Sequence, residues 1–506
     1  MSRLVSAETS ALIDKTASAE WGLNPFALVE AAGRNMADKL AAFLEVTVGS
    51  SPIIAFIGSG ANGADAMVML KTLILNRRIN PSDCRLVLTR TPVETEQTPR
   101  SEVFKTLAKM NVRFSDFAVW KTSDTNKNAG LVIDGVTGTG LKGRLTGTAV
   151  EMVREINEMK CKASVTVASI DVPSGLFDEW TPDMPIVNAD ITLAVEPQKL
   201  CLYKPSARVF AGDIISIGGV FPQELLDAFA DKESAELFKW ETVRTRIPKI
   251  APDAHKYQRG LAEIHAGCVG SAGAAHIAAA GAQAVGAGLV RLLVDKTLYP
   301  ILAGIANGVM VAMETDQVDR WKPDAALLGP GWGDAADRPI LFEKTLARVV
   351  ANDATVILDA DAIPLIKKTN PFSLHKVILT PHVGEFVKFA CISKEAALSN
   401  PVPILKRVAK ETQTTILYKS HVLIVADTDG SIGVIDGMVP ALAAGGSGDL
   451  LAGITAGLAA RRIACPFICA VVAASLLVEA GRVITAFADP LELARTVSRL
   501  AFEAWD

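Results

Sequence analysis

The chain lacks any excess of positive charge: 51 Lys and Arg face 55 Asp and Glu, a net −4 over 506 residues. A dedicated nucleic-acid binder neutralises phosphates with a basic surface, so that class is excluded. Cysteine is sparse, with seven residues scattered from Cys84 to Cys469 and no CxxC pair. This argues against a zinc ribbon or a disulfide framework and points to a reducing compartment, the cytoplasm. Cys465 and Cys469, four apart in an apolar stretch, read as buried free thiols. Histidine is missing before His255, so acid–base chemistry in the first half falls to carboxylates, Lys, Tyr or water.

Long clean apolar runs are also missing, although mean hydropathy is +0.30. Ile463–Val478 contains Pro466 and Ser475, and Ile277–Val294 is interrupted by Gln283 and Arg291. Both fall short of the ~20 apolar residues a spanning helix needs. They read as buried helices of an Ala-rich core, with no membrane partner. The N-terminus meets Glu8 and Asp14 before any apolar segment, so no secretory signal is expected.

What is present is a pattern of short β-branched runs alternating with helical periods. The runs PIIAFI (52–57), RLVLT (85–89), LVID (131–134), SVTVASID (164–171) and ADITLAV (189–195) form one series. A second series runs from EIHAGCVG (263–270) through TVILDAD, KVILTPH and TILYKS to IGVIDG. Such alternation predicts an α/β protein with mostly parallel sheets covered on both faces. The length predicts two to four domains at ~150 residues each. The charged, helix-like and then Pro-bearing stretch 223–250 reads as the linker, which places the boundary between units 1–225 and 226–506.

Ligands of such sheets bind outside the carboxyl ends of the strands. Gly58 and Gly60 in GSGANGAD (58–65) let a phosphate approach the backbone, or simply make a sharp turn. Asp134 precedes Gly138, Gly140 and Gly143, with Lys142 and Arg144 at hand for phosphate, and Asp171 precedes Ser174. In the second half Gly445, Gly446 and Gly448 precede a long helix whose N-terminal N–H groups would hold developing negative charge. Asp449 there would take a proton from a substrate hydroxyl, or cap the helix. His382 reads as a substrate hydrogen-bonding group or a structural His. Asp359 and Asp361 read as positioning a magnesium-bound water or as caps, and structure is the preferred reading for Asp359.

In order, EAAGR (30–34), GSGANGADA (58–66), DGVTGTG (134–140) and DVPSGL (171–176) resemble the NAD(P)H-hydrate epimerase family over about residues 3–220. The resemblance implies a Rossmann-like doubly wound sheet and substrate contacts from Ala61, Asn62, Gly63, Ala64 and Asp65. It implies further contacts from Gly138, Thr139, Gly140, Leu141, Lys142, Gly143 and Arg144. Asp171 would be the acid/base, and potassium would be held by Asn62, Asp134 and Ser174, hard oxygen donors suited to a hard cation. The family's NNGGDG departs here at Ala61, Ala64 and Ala66. One amide is lost, and an Ala replacing a Gly of positive φ is expected to strain the loop.

HKYQRG (255–260), GAAHIAAAGAQAVGAGLV (273–290), GPGWG (329–333), LDADAI (358–363), TPHVGEF (380–386) and GGSGD (445–449) resemble the NAD(P)H-hydrate dehydratase family, of ribokinase-like fold, over about 243–503. This resemblance implies that Ala274, Gly333, His382 and Asp449 contact the hydrated nicotinamide nucleotide. Lys419, Ser420, His421, Val422, Leu423 and Gly448 would hold ADP or ATP, with Mg²⁺. Tyr257 and Ser420 stand where the family has glycines, and the segment between Gly270 and Ala274 is shortened.

Together these features imply a two-domain metabolite-repair enzyme acting on hydrated NADH or NADPH. One rival reading makes the second half an ordinary small-molecule kinase. Another makes the first half a nucleotide-binding module without catalysis. ADP against ATP, NADH against NADPH, and a single chain against a homo-oligomer stay open.

Overall fold

A computed structural model describes residues 2–47, 52–93, 95–123, 128–162, 165–229, 235–316, 321–368, 376–484 and 488–505. Ser164, at the head of an expected strand, and residues 230–234 of the charged stretch lie outside them. The chain divides into two compact units, Ser2–Ala235 and Glu236–Asp506.

In the first unit the expected runs form strands Ile53–Ile57, Cys84–Leu88, Leu131–Gly135, Thr166–Ile170 and Ile191–Val195. Arg113–Asp116 and Asp213–Ile217 complete a seven-stranded sheet among the described residues. Counted in chain order, its strands lie 3-2-1-4-5-6-7, all parallel. The order reverses between Ile53–Ile57 and Leu131–Gly135, and there a doubly wound sheet opens a crevice. Helix Ala61–Leu75 packs its Met67, Val68, Leu70 and Leu73 under this sheet with helix Pro25–Thr47. On the other face, Trp120 meets Phe56 edge-on at 5.3 Å.

The second unit repeats the scheme. From Leu261–His265 onward its strands lie 3-2-1-4-5-6-7, all parallel, and two antiparallel strands, Val422–Ala426 and Ile432–Asp436, extend the edge. The α/β class and the parallel sheets expected from the alternation are therefore what the chain forms. Helices Ala272–Ala284 and Ser447–Ala460 lie against each other over this sheet, and their contact is made by small residues. A Cβ on Gly453 would fall 2.0 Å from the Ala278 carbonyl oxygen, and one on Gly281 would fall 2.6 Å from that of Leu450. The Gly/Ala richness of both segments is thus a requirement of close helix approach. Pro466–Val483 is long and apolar enough to cross a membrane, yet 67% of it is buried in the unit, as a core helix.

Three expectations need correction. The stretch 223–250 is not a plain helical linker: Glu236 and Leu237 pair with Gly433 and Val434, and Phe238, Val243 and Ile247 are buried in the core of the second unit. Cys469 is buried, but Cys465 is exposed, because the helix begins after it at Pro466. The third concerns the loop after Ile57, which ends at Gly60; residues 61–65 already belong to the helix. Ala64 has no positive φ and is buried in that helix, so an alanine there is unstrained and suits the local conformation.

Candidate functional site

The crevice of the first unit is a cleft of about 600 Å³ at the reversal of strand order. Its floor and walls come from the loop Ser59–Gly60, the start of the following helix, and the segment Val136–Lys142. Of the residues expected to contact substrate, Ala61, Asn62, Asp65, Gly138, Thr139, Gly140, Leu141 and Lys142 line it, as does Asp171. Gly63 and Ala64 instead face the helix packing and are buried. Arg144 is engaged with the Asp183 carbonyl at 2.6 Å, next to Gly143.

Asn62, Asp134 and Ser174 come together beside this cleft. Asp134 Oδ2 accepts from the Ser169 hydroxyl at 2.7 Å and from the Ser174 N–H at 2.8 Å. Its Oδ1 accepts from the Ser174 hydroxyl at 2.5 Å, and Asn62 Nδ2 donates to the Thr137 carbonyl at 3.1 Å. Asp134 is fully buried with only neutral donors around it among the described residues. Burial pushes its carboxyl pKa up, and the bonds from Ser174, Ser169 and Val136 oppose that rise.

Asp171 sits just past the end of strand Thr166–Ile170 at φ +63°, a conformation rare outside glycine. Its Oδ1 accepts from Lys199 Nζ at 2.6 Å and from the Val195 N–H at 3.0 Å. Lys199 is buried, and neither it nor Asp14 carries a motif in the sequence. The available signal for Lys199 is a charge beside the apolar run Leu200–Tyr203. For Asp14 it is the spacing of Ser10, Asp14 and Ser18, which puts them on one face of helix Ala7–Ala19, and all three line the cleft. Burial raises the Asp14 pKa to about 6, with Lys199 opposing and Asp171 adding to the rise. Asp65 is pushed well above the ordinary carboxylate range, first by burial, then by Asp171 and Asp14.

In the second unit the carboxyl ends of successive parallel strands deliver Asp359, His382 and Lys419 to one face. The Asp359 N–H bonds the Leu328 carbonyl, the Thr380 N–H that of Leu358, and the Lys419 N–H that of Pro381. Asp359 Oδ1 accepts from Lys419 Nζ at 2.6 Å and from the Thr380 hydroxyl at 2.7 Å, which supports its structural reading. Asp361 Oδ2 accepts from the Gly333 N–H at 2.7 Å, tying that loop down. Ala274 lies beside the same loop, 2.9 Å from where a Cβ on Gly331 would be. His382 caps helix Val383–Ala390: its Nδ1 accepts from the Gly384 N–H while Glu385 accepts from the His382 N–H. Its Nε2 lies 3.2 Å from Glu385 Oε1, and the rest of the ring is exposed on this face.

Helix Ser447–Ala460 points its N-terminus here through Gly446, at φ +93°. Asp449 lies in the first turn of this helix, three residues after its N-cap Gly446. Burial raises its pKa to about 6; Asp359 adds to the rise and Lys419 opposes it. Gly448 lies close to Lys419 Nζ. Of the other residues expected at the nucleotide, Ser420 closes a local turn with the Val422 N–H, and Val422 and Leu423 are buried in the sheet. His421 leads into that strand.

Residues 25–201 match the family model described as YjeF-related protein N-terminus, and residues 262–499 match that of NAD(P)H-hydrate dehydratase. The chain is 28% identical over 486 residues to a bifunctional NAD(P)H-hydrate repair enzyme Nnr of Moorella thermoacetica, covering 90% of this chain and 88% of the relative. A relative of the same name from Methanopyrus kandleri is 28% identical over 81% of this chain and 79% of its own. A Bacillus subtilis ADP/ATP-dependent NAD(P)H-hydrate dehydratase, co-crystallized with ATP/Mg²⁺, aligns at 26% identity and a TM-score of 0.46, over 54% of this chain and 98% of that one.

Proposed function

The chain belongs to the family of bifunctional NAD(P)H-hydrate repair enzymes, and from that premise we propose that each unit carries one of the two activities. The first unit interconverts the R and S forms of hydrated NADH or NADPH. The second removes water from the S form while consuming ADP or ATP. Its central chemical idea is that phosphorylating the ring hydroxyl makes a leaving group, which the ring nitrogen's lone pair expels.

The observation that carries the second assignment is Asp449 in the first turn of a helix, with burial raising its pKa to about 6. A base poised there takes the hydroxyl proton, while the N–H groups of Ser447–Ala460 face the phosphate charge that develops. Lys419, held by Asp359, supplies a fixed positive charge to the nucleotide phosphates. His382 and the loop Gly329–Gly333 orient the hydrated ring. Mg²⁺ supplies charge neutralisation in phosphoryl transfer and keeps several waters. Among the described residues no cluster of three or more metal-binding His, Cys, Asp or Glu side chains exists. The residues therefore fit Mg²⁺ only with nucleotide phosphates completing its shell, and the carboxylates of Asp359, Glu385 and Asp361 all act on the Asp449 charge.

In the first unit, Asn62, Asp134 and Ser174 would hold potassium. The donor set is amide, carboxylate and hydroxyl oxygen, and among the described residues the buried Asp134 carboxylate has no cationic partner. The ion supplies fixed positive charge beside the cleft. The retained Asp171 supports an active epimerase over a binding module, since the alanines at 61 and 64 sit unstrained in a helix. The test is incubation of separated R and S hydrates with the protein, with and without ADP or ATP, followed by chromatography. Recovery of NADH from S with nucleotide, and R-to-S conversion without it, are the expected outcomes. A stable phosphoester product in place of NADH would leave the second unit an ordinary kinase.

A further inference from the structure

Resting on the epimerase reading of the first unit, we propose that Asp14 is the proton donor of that cleft and that Asp171 is the group opposite that takes the proton of the incoming water. The asymmetry between the two carboxyls is geometric. Asp171 is clamped in place by Lys199 Nζ at 2.6 Å and by the Val195 N–H at 3.0 Å. Asp14 lines the same cleft and, among the described residues, makes neither a hydrogen bond nor an ion pair. It is presented by Ala7–Ala19 beside Ser10 and Ser18, reaching solvent through the cleft while the surrounding cleft walls partly desolvate its carboxyl. Two carboxyls in one site whose surroundings separate their ionisation are the usual arrangement of an acid and a base.

The other charged groups of the cleft fit this division. Lys199 is spent on Asp171, and Lys142 lies on the loop opposite, among residues suited to phosphate. Asp65 is also pushed above the ordinary carboxylate range, by burial first and then by Asp171 and Asp14, but it sits in the first turns of the helix Ala61–Leu75 rather than on the helix that carries Asp14. A donor works best with a pKa near the working pH, and Asp14 at about 6 meets that condition.

The step balances without any added reagent. Asp14 gives its proton to the C6 hydroxyl as the C6–O bond breaks, and the ring nitrogen's lone pair forms C6=N1. One water leaves and one water adds to the opposite face of C6. The proton of the incoming water passes to Asp171 as the C6=N1 pair returns to nitrogen. Net, a proton moves from Asp14 to Asp171; Asp171 then gives its proton to water in the cleft and Asp14 takes one back from solvent, which restores both groups.

The experiment follows R-to-S conversion by the full chain from about pH 5 to about 8, each rate divided by the spontaneous one. For the wild type the acceleration falls as pH rises through about 6, because the donor must be protonated. Asp14→Asn loses about 10²-fold or more of the acceleration together with that pH limb, at unchanged KM, while Asp14→Glu restores the limb. Asp65→Asn keeps the limb. A wild-type profile in Asp14→Asn, or a limb lost only in Asp65→Asn, overturns the assignment. No acceleration by wild-type protein at any pH overturns the epimerase reading itself, and the inference with it.

Discussion

Asp449 is held in a state that costs the fold and that suits the base proposed for the second unit. Its folded pKa of about 6 lies above the ordinary carboxylate value, so protonation favours the folded state and ionisation at neutral pH opposes it. Asp449→Asn removes that opposition, and its melting temperature at neutral pH should be no lower than that of the wild type. Nucleotide-dependent NADH recovery should nevertheless drop by ~10²–10⁴-fold, the usual cost of losing a general base. A base must be ionised, so the wild-type rate should rise with pH through about 6 and level off above. A stable but active Asn variant would place the base elsewhere. Asp449 was legible because glycines before a long helix announce an anion site, whatever the fold around it. Lys199 and Asp14 were not, because their roles exist only once segments far apart in sequence line one cleft.

At the scale of the element, the helix Ala61–Leu75 decides how the departures from the family pattern should be read. Because Ala64 is helical and buried, Ala64→Gly should destabilise the first unit by about 0.5–1 kcal/mol, seen as a lower denaturant midpoint. A strained alanine would give the opposite sign. The expectation of strain failed because a helix start is placed poorly by sequence: Gly60 offers no side-chain cap to mark it. The second unit carries the converse case. The backbone of Ala278 leaves no room for a methyl at Gly453, so Gly453→Ala should cost about 1–3 kcal/mol as overpacking. It should also slow dehydration, since that helix aims Asp449. An unchanged melt in Gly453→Ala would mean that the two helices separate without cost. The sequence showed both segments to be apolar and small-residue rich, whereas their mutual contact required the fold.

At the scale of the whole molecule, the alternation of short apolar runs with helices was enough to read two α/β units. The three-residue strand Ala235–Leu237 was hidden inside a charged stretch, because three residues cannot establish a period. That strand decides where the chain can be divided. A cut at residue 240 discards the pairing of Leu237 with Val434 and the buried Phe238, whose N–H bonds the Val434 carbonyl at 2.9 Å and whose ring meets Phe467 at 6.2 Å. Losing a buried phenylalanine alone costs about 3–5 kcal/mol, a large part of the ~5–15 kcal/mol that holds a domain folded. A chain starting at residue 230 keeps these contacts, and everything assigned to dehydration lies beyond residue 270. The chain from 230 should therefore unfold cooperatively and dehydrate the S hydrate at close to the full-length rate, while the chain from 240 should melt lower or aggregate. Equal stability of the two would remove Phe238 from the core that matters. A folded chain from 230 without activity would mean that dehydration draws on residues of the first unit.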